Sequence, residues 1–245
     1  HLFISVPRIY EKIYSNLSAA IESKAILKIG LKIPGLASVF KSKLKAAAGF
    51  SNVRFAISGA APINPDILSL FQELGIPLFE GYGMTESAGV ISINNQVTNK
   101  IGTVGTALPG AQIRISDEGE IQYKAGNVFQ GYWKSPEKTA ETFTQDGWLR
   151  TGDVGVLDKR GFLKITGRLK DIIITAGGKN ITPSEIENKL KFSPYILDVL
   201  VIGDKRKFLT CLVMIDQENM EKFAQDRRIP FSNYASLCAA REVQD

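Results

Sequence analysis

The segment Gly81-Tyr-Gly-Met-Thr-Glu86 carries side chains that could bind a ligand and a metal ion. Its alternating glycines let a ligand approach the backbone closely, and the ring of Tyr82 could stack on a planar group. Thr85 offers a hydroxyl, and the Glu86 carboxylate is a hard oxygen ligand suited to Mg²⁺. A motif this short is also typical of a plain glycine-rich turn, so both interpretations stay open.

A second set of polar residues follows later in the chain. Asp153 ends the run Thr151-Gly-Asp153, which is typical of a glycine turn that opens a strand. Its carboxylate could accept hydrogen bonds from both hydroxyls of a ribose. Arg168 could donate a fork of hydrogen bonds to ribose or phosphate oxygens. Asp153 is also explained by an ordinary turn and Arg168 by a surface ion pair. The two residues therefore support a nucleotide site only in combination with residues 81–86.

Two further features mark the last third of the chain. Lys170-Asp171 lies where sheet-like sequence gives way to a small module of helices and strands, a position suited to a hinge. Gly177-Gly178 predicts a tight turn, and it is also a place where a narrow ligand could pass along the backbone. A hinge and a ligand-binding turn are therefore expected after about residue 168.

An α/β unit is expected to position the first segment. Val53–Ile57 and Ile76–Phe79 are short apolar runs typical of buried strands, and Asn64–Leu74 between them is a predicted helix with proline in its first turn. Ligands bind at the carboxyl ends of the strands in such units. The small-residue loops at 59–62 and 81–83 are therefore expected at one edge of the sheet.

Antiparallel structure is expected in the rest of the chain. From residue 101 to 165 the hydrophobic period is two, with turn signals at Asp117–Gly119 and Asp158–Gly161, which predicts an antiparallel sheet or partial barrel. The following α+β module has a predicted capping box at Thr182–Glu185 and a hairpin around residues 204–207. The predicted fold class is mixed α/β and α+β.

Composition sets broad limits on partners and location. The 245 residues, 44% of them hydrophobic, suffice for one large domain or somewhat more with a real core. The net charge of +5 is mild, so we expect no nucleic-acid partner. Cys211 and Cys238 form no disulfide framework; Cys211 is predicted in the core, and a reducing cytoplasm is expected. No apolar run approaches the length of a membrane span.

A basic stretch occupies residues 24–54 and overlaps the region 5–50, which is predicted to be helical. It contains no acidic residue, and its bases are Lys24, Lys28, Lys32, Lys41, Lys43, Lys45 and Arg54. A solvated basic face is the preferred interpretation, because no aromatic belt accompanies the lysines. The alternative is contact with anionic lipid headgroups, peripheral to the inner face of the membrane.

Together and in this order, the segments resemble the adenylate-forming superfamily, and within it bacterial long-chain fatty-acid–CoA ligases. The resemblance runs from about residue 5 to about residue 230, and each matching piece is modest, but their joint order and spacing are specific. The matching pieces are Val6–Ile13, Ile57–Pro62, Glu80–Glu86, Ile101–Gly105, Asp146–Asp153, Gly161–Asp171 and Val201–Asp204.

The resemblance implies an acid–thiol ligase that works in two steps. A fatty-acid carboxylate attacks the α-phosphate of Mg·ATP and expels pyrophosphate; the thiol of CoA then attacks the acyl-adenylate and releases AMP. The implied ligands are ATP or AMP, Mg²⁺, CoA and a fatty acid. The implied domains are a large AMP-binding domain over residues 1–167, with an α/β portion at 1–100 and a barrel portion at 101–167, and a small C-terminal domain over 168–245.

The resemblance also implies a role for each matching site residue. Thr85 would contact the α-phosphate, Glu86 would hold Mg²⁺, and Lys170 would be the hinge between the two half-reactions. The nucleotide side would be formed by Gly59, Ala60 and Ala61 beside adenine, Tyr82 on the base, its neighbours Glu80, Gly81 and Gly83, and Asp153 with Arg168 at the ribose. Gly177 and Gly178 would border the path of the CoA pantetheine.

Two parts of the family pattern have no match in this sequence. These are a Ser/Thr/Gly-rich phosphate loop upstream and a C-terminal lysine that assists adenylation. Both chain ends also fall inside helix-like patterns, so we expect a fragment of a longer protein that is inactive by itself. We further expect an adapted truncated fold, or association between copies that covers exposed strand edges.

Two alternatives stay open. One is another adenylating enzyme, such as an aryl-CoA ligase or a domain that loads a carrier protein; the other is a non-catalytic module that binds a nucleotide or a lipid. The ligase interpretation requires Thr85, Asp153 and Arg168 to lie around one nucleoside monophosphate.

Overall fold

The computed structural model describes residues 1–31, 33 and 35–244, and for residues 25, 26 and 28 it describes the backbone alone. The side chains of Lys28 and Lys32, two members of the predicted basic stretch, therefore lie outside the described residues. The chain divides into two compact units, His1–Ile165 and Thr166–Asp245. Within the described part, no helix is long and apolar enough to cross a membrane.

The first unit opens with a five-stranded sheet flanked by helices. The sheet has the order β1-β2-β3-β4-β5; its first three strands are parallel and the last two pairings are antiparallel. The strands are β1 (Leu2–Ser5), β2 (Phe55–Ser58), β3 (Leu78–Met84), β4 (Gly89–Ile93) and β5 (Thr106–Ala107). The helices are α1 (Pro7–Ser23), α2 (Ala25–Gly30), α3 (Leu36–Ala47) and α4 (Pro65–Glu73).

Aromatic side chains fill the core between these helices and the sheet. The rings of Phe3, Tyr10, Phe50 and Phe71 meet edge to face, with centroids 5.4–5.9 Å apart. The buried Tyr10 hydroxyl donates to the carbonyl of Ile57 at 2.9 Å, which fixes α1 on β2. This hydrogen bond fixes the carboxyl end of β2, where ligand-binding loops are expected.

The predicted strand–helix–strand unit is confirmed. The Asn64 side chain accepts from the amide of Asp66 at 2.8 Å and caps α4, Pro65 takes the first turn, and Gly75 ends the helix with φ of +73°. Strand β1, which pairs in parallel with β2, was not predicted, because a four-residue apolar run beside a helix gives no period of its own.

A four-stranded sheet completes the first unit. Its order is β6-β7-β8-β9, and it packs around the buried residues Ile121, Tyr123, Leu149 and Leu163. The strands are β6 (Gln112–Ile115), β7 (Glu120–Lys124), β8 (Leu149–Leu157) and β9 (Leu163–Arg168), and helix α5 is Pro136–Thr142. The predicted turn at Asp117–Gly119 joins β6 to β7, which are antiparallel. The last three residues of β9 belong to the second unit.

The second unit is a small α+β module. Strands β12 and β13 form the predicted antiparallel hairpin, and β10 and β11 form another. The elements are β10 (Ile173–Ile174), β11 (Asn180–Ile181), α6 (Pro183–Leu190), β12 (Ile196–Ile202), β13 (Thr210–Ile215), α7 (Gln217–Arg227), α8 (Tyr234–Ala239) and α9 (Arg241–Gln244). The fold class predicted from the sequence, mixed α/β and α+β, is confirmed.

Two local predictions in the second unit are wrong. Thr182 precedes α6, but its side chain makes no capping hydrogen bond; only its carbonyl accepts from the amide of Glu185, at 3.2 Å. Cys211 is exposed, because the apolar run that contains it forms β13, whose residues 210–214 are exposed. Both predictions failed because the side-chain contacts and the burial of a segment depend on its tertiary neighbours, which the local sequence does not specify.

Candidate active site

The glycine-rich segment lies mostly in a strand, where a loop was predicted. Residues 81–84 continue β3 and pair with β4, so Gly81 lies opposite Ile93 and Tyr82 opposite Ser92. Glycine is a poor strand former, but here the neighbouring strand supplies the hydrogen-bonded ladder. The candidate binding residues Gly81, Tyr82 and Gly83 therefore lie in a sheet.

Gly83 is required by a close approach of two strands. A Cβ atom built on Gly83 would collide with the backbone carbonyl of Gly89, at a register shift between β3 and β4. After Met84 the chain turns through a short 3₁₀ helix, Thr85–Ser87, and returns at Ala88 with φ of +51°. This tight turn presents Thr85, which is exposed, and Glu86, which is partly exposed.

The loop after β2 lies against the same strand. A Cβ atom on Gly59 would come within 3.3 Å of the carbonyl oxygen of Gly81, so the two backbones touch. Ala60 adopts φ of +69°, a left-handed conformation that costs energy for a residue with a side chain. Ala60 and Ala61 are exposed, so this strained loop presents backbone and methyl groups at the edge of the sheet.

Glu80 is a buried carboxyl group beneath this loop. It lies opposite Ser58 in the register of β2 and β3, and its Oε1 accepts from the amide of Ile63 at a long 3.5 Å. Burial raises the pKa of Glu80 from 4.5 to about 7, and the Ile63 hydrogen bond lowers it in part. The carboxyl therefore ties the loop to β3 and changes charge near neutral pH.

Asp153 lies on a bulge inside β8, and the predicted turn before the strand is wrong. The ladder shifts so that residues 151–153 stand opposite Ile121 alone, with Gly152 at φ of +70°. The Thr151 hydroxyl donates to the Ile121 carbonyl at 2.7 Å and accepts from the Asp153 amide at 3.1 Å. Bulges re-aim side chains beside functional sites, which accounts for the glycine that had suggested a turn.

The bulge brings two predicted site residues into contact. The hydroxyl of Tyr82 donates to Oδ2 of Asp153 at 2.6 Å and joins strands 71 positions apart in sequence. Tyr82 is 9% exposed, and Asp153 is partly exposed. A short O–H···O⁻ bond of this kind is strong and directional, so Tyr82 orients the carboxylate.

Glu120 is a residue of this site that sequence reasoning missed. Its side chain is buried, and its Oε1 accepts from the amide of Gly152 at 3.1 Å, which holds the bulge. Its Oε2 pairs with Arg150 at 3.3 Å. The available signal was an acidic residue at an inward-facing strand position just after a hairpin glycine.

Glu86 also has a partner that was not predicted. The hydroxyl of Tyr132 donates to Glu86 Oε1 at 2.6 Å, and the amide of Phe129 donates to the Glu86 carbonyl at 2.8 Å. The bond to the carboxylate raises the pKa of Tyr132. Tyr132 was not among the site residues predicted from the sequence.

The donor set fits a magnesium ion that arrives with a nucleotide. Among the residues that the structure describes, no three His, Cys, Asp or Glu side chains gather into a metal cage. Magnesium is commonly held by one or two carboxylates, water and substrate phosphates. The single partly exposed carboxylate of Glu86, which follows the exposed Thr85 in the chain, suits that kind of binding.

The remaining predicted residues belong to the second unit. Arg168 ends β9 and is exposed, and Lys170 lies in a 3₁₀ helix, Leu169–Asp171. Gly177 and Gly178 are exposed in the turn between β10 and β11, with Gly178 at φ of +76°. The tight turn is confirmed, whereas the convergence of Arg168 with the residues of the first unit stays a prediction.

Comparison with known families agrees with both units. The family described as AMP-binding enzyme matches residues 1–133, and the family described as AMP-binding enzyme C-terminal domain matches residues 170–232. The chain belongs to the AMP-binding enzyme family. The second match begins at the residue that was predicted to be the hinge.

The chain is similar to one part of several longer proteins. It is 40% identical to the long-chain-fatty-acid–CoA ligase FadD15 of Mycobacterium bovis, over 91% of this chain and 41% of that protein. The ATP-bound structure of MatB from Rhodopseudomonas palustris matches with a TM-score of 0.60 and 32% identity, over 85% of this chain and 43% of MatB. The chain thus spans less than half the length of these relatives.

A third match carries the product of the first predicted step. It is o-succinylbenzoate CoA synthetase from Bacillus subtilis in complex with its acyl-adenylate intermediate. The TM-score is 0.65 and the identity 25%, over 95% of this chain and 45% of that structure. The similarity therefore extends over nearly all of this chain.

Proposed function

We propose that the polypeptide containing this chain is a long-chain fatty-acid–CoA ligase. It uses ATP to convert a fatty acid into an acyl-adenylate and then transfers the acyl group to CoA. The observation that carries the proposal is the hydrogen bond between Tyr82 and Asp153, because it brings two separately predicted nucleotide contacts together within the first unit. The 40% identity to a named long-chain-fatty-acid–CoA ligase supports a fatty acid as the substrate.

The first unit binds the nucleotide. Gly59, Ala60 and Ala61 border the adenine, with Glu80, Gly81 and Gly83 shaping the adjacent strand. Asp153, oriented by Tyr82, accepts from the two ribose hydroxyls. The Thr85 hydroxyl donates to an oxygen of the α-phosphate, where negative charge grows as the fatty-acid carboxylate attacks and pyrophosphate leaves.

Glu86 is the residue that would hold Mg²⁺. The ion, when bound, neutralises charge on the phosphates during adenylation. The contribution of the protein is one carboxylate on a tight 3₁₀ turn that also carries Thr85.

The second unit serves the transfer to CoA. Arg168 donates to ribose or phosphate oxygens, and Lys170 is the pivot on which the small domain, residues 168–245, turns between the half-reactions. The exposed turn at Gly177 and Gly178 borders the path of the CoA pantetheine. The CoA sulfur then forms the bond to the acyl carbon as AMP leaves.

The test uses the product of the complete reading frame. It is incubated with Mg·ATP, CoA and fatty acids of several chain lengths, and acyl-CoA, AMP and pyrophosphate are measured by mass spectrometry and coupled assays. We expect acyl-CoA and AMP in equal amounts, dependent on a long-chain acid.

Two outcomes would assign another function. Product from aryl acids but not from fatty acids would indicate an aryl-CoA ligase, an alternative that the o-succinylbenzoate CoA synthetase match keeps relevant. Nucleotide binding without consumption of ATP by any acid would indicate a non-catalytic module.

We also propose a cytoplasmic location, consistent with two cysteines that form no disulfide in the structure. Contact of residues 24–54 with anionic lipid and association between copies stay predictions.

A further inference from the structure

The segment Asn127–Tyr132 forms a strap across the turn that carries Glu86. Three hydrogen bonds join them: the Asn127 side chain donates to the Ser87 carbonyl at 2.7 Å, the Phe129 amide to the Glu86 carbonyl at 2.8 Å, and the Tyr132 hydroxyl to Glu86 Oε1 at 2.6 Å. All belong to the first unit. Two of these bonds hold the backbone of the turn, and one holds the carboxylate.

The strap is itself anchored at both ends. The fully buried Tyr123 on β7 donates its hydroxyl to Asn127 Oδ1 at 2.9 Å. At the other end the Tyr132 amide donates to the Thr139 hydroxyl of α5 at 2.9 Å. The rings of Phe129 and Tyr132 pack edge to face, with centroids 4.9 Å apart. The Tyr132 hydroxyl therefore approaches Glu86 from a fixed position.

Oε1 of Glu86 accepts the hydrogen bond from Tyr132, and this bond fixes the orientation of the whole carboxylate. A glutamate on a surface turn normally samples several rotamers, and fixing it before a ligand arrives reduces the entropy lost on binding. A tyrosine hydroxyl can donate to one carboxylate oxygen while the second stays available as a metal ligand. Such outer partners commonly tune metal affinity by 10- to 100-fold.

We propose that Tyr132 is a positioning residue that fixes the Glu86 carboxylate for the magnesium ion of Mg·ATP. The proposal rests on the proposed function, since it takes Glu86 as the magnesium ligand. It predicts that the hydroxyl of Tyr132 strengthens the binding of nucleotide that carries a metal ion and has little effect on the binding of nucleotide without one.

The test compares Tyr132→Phe with the wild type in the product of the complete reading frame. Calorimetry measures the binding of Mg·ATP and, separately, of ATP in EDTA. We expect the Kd for Mg·ATP to rise about 10-fold, while the Kd for metal-free ATP stays within about twofold. In steady-state assays the Mg²⁺ concentration at half-maximal rate should rise, with kcat at saturating Mg²⁺ nearly unchanged.

Trp133→Phe is the matched control. Trp133 is 86% exposed and lines, with Tyr132, a groove of about 480 Å³, so this variant alters the neighbouring ring and leaves the Tyr132 hydroxyl in place. It should bind both forms of ATP like the wild type. Asn127→Ala, which removes the bonds of this side chain to the Ser87 carbonyl and the Tyr123 hydroxyl, should weaken Mg·ATP binding in the same selective way.

The outcomes separate this inference from the function on which it rests. Equal Mg·ATP affinity of Tyr132→Phe and wild type would overturn the inference and leave the ligase proposal intact. Equal losses for Mg·ATP and metal-free ATP, or the same loss in Trp133→Phe, would also overturn it. A wild-type protein that binds no ATP would overturn the proposed function itself.

Discussion

Single residues at this site owe their properties to neighbours distant in the sequence. The sequence identified Tyr82, Asp153 and Glu86 by type and context, and the structure places Tyr82 against Asp153. The sequence could not predict the hydrogen bond from the Tyr132 hydroxyl to Glu86, or the buried Glu120 that holds the bulge. A side-chain pair across dozens of residues leaves no local pattern, whereas glycines and charged residues at short spacing do.

Asp153→Ala should weaken nucleotide binding. Loss of charged hydrogen bonds to ribose costs about 1.5–3 kcal/mol, which is roughly 10- to 100-fold in affinity. We expect the KM for ATP to rise by that factor in the product of the complete reading frame, with the KM for the fatty acid much less affected. An unchanged KM for ATP would remove Asp153 from the nucleotide site.

Glu80→Gln should change how stability depends on pH. The folded pKa of about 7 exceeds the ordinary 4.5, so the folded state binds the extra proton between these values. The contribution of Glu80 to stability is therefore fully present below about pH 4.5 and is lost as the pH rises through about 7, by up to about 3 kcal/mol. The amide of glutamine carries no charge to bury, so the variant should lose this part of the pH dependence.

Denaturant unfolding at pH 5 and pH 8 measures the effect of Glu80→Gln. Both tryptophans, Trp133 and Trp148, lie in the first unit, so their fluorescence reports its unfolding. Glu73→Gln, at an exposed position of α4, is the control and should follow the wild type. A Glu80→Gln variant whose stability falls between pH 5 and 8 as steeply as the wild type would contradict the account.

At the scale of elements, strands were harder to predict than helices. Helix α4 was predictable because its cap, proline and terminal glycine are local signals. The extension of β3 through Gly81 and Gly83, and the continuation of β8 through Gly152, depend on a neighbouring strand that supplies the ladder. Glycine in both places suggested loops, whereas it serves close approach at Gly83 and a bulge at Gly152.

Gly83→Ala should destabilise the first unit strongly. The added Cβ atom would collide with the backbone of Gly89, and backbone yields only by disrupting the pairing of β3 with β4. We expect a loss of about 2–4 kcal/mol in the free energy of unfolding, measured by tryptophan fluorescence.

Gly81→Ala is the matched comparison in the same strand. Its Cβ atom would meet only side-chain atoms of Ile93 and Ile57, at 3.5 and 3.6 Å, which is ordinary contact. It should therefore change stability by less than about 1 kcal/mol. Equal effects of the two variants would mean that the predicted collision at Gly83 is absent.

At the scale of the whole molecule, the two compact units match two families that carry related descriptions. The order of motifs in the sequence was enough to predict this family and the fold class. The relation between the units could not be derived from the sequence, because a pivot near Lys170 would allow more than one arrangement.

Lys170→Pro should separate the two half-reactions. Proline fixes φ and restricts the preceding residue, so it limits rotation at the proposed pivot. We expect CoA transfer to slow by at least about 10-fold, whereas pyrophosphate release in a single turnover changes less; a tenfold effect corresponds to about 1.4 kcal/mol in the barrier. Lys170→Ala, which keeps rotation free, should retain transfer. Equal slowing of both steps by Lys170→Pro would argue against a pivot at this residue.

The central claim is our proposal that Thr85 and Asp153 of the first unit bind one nucleotide. A crystal structure of the product of the complete reading frame with a non-hydrolysable acyl-adenylate analogue tests it most directly. We expect the Asp153 carboxylate within about 3 Å of both ribose hydroxyls, the Thr85 hydroxyl on the phosphate position, and Arg168 beside them. An analogue bound elsewhere, with Asp153, Thr85 and Arg168 on unrelated surfaces, would contradict the account.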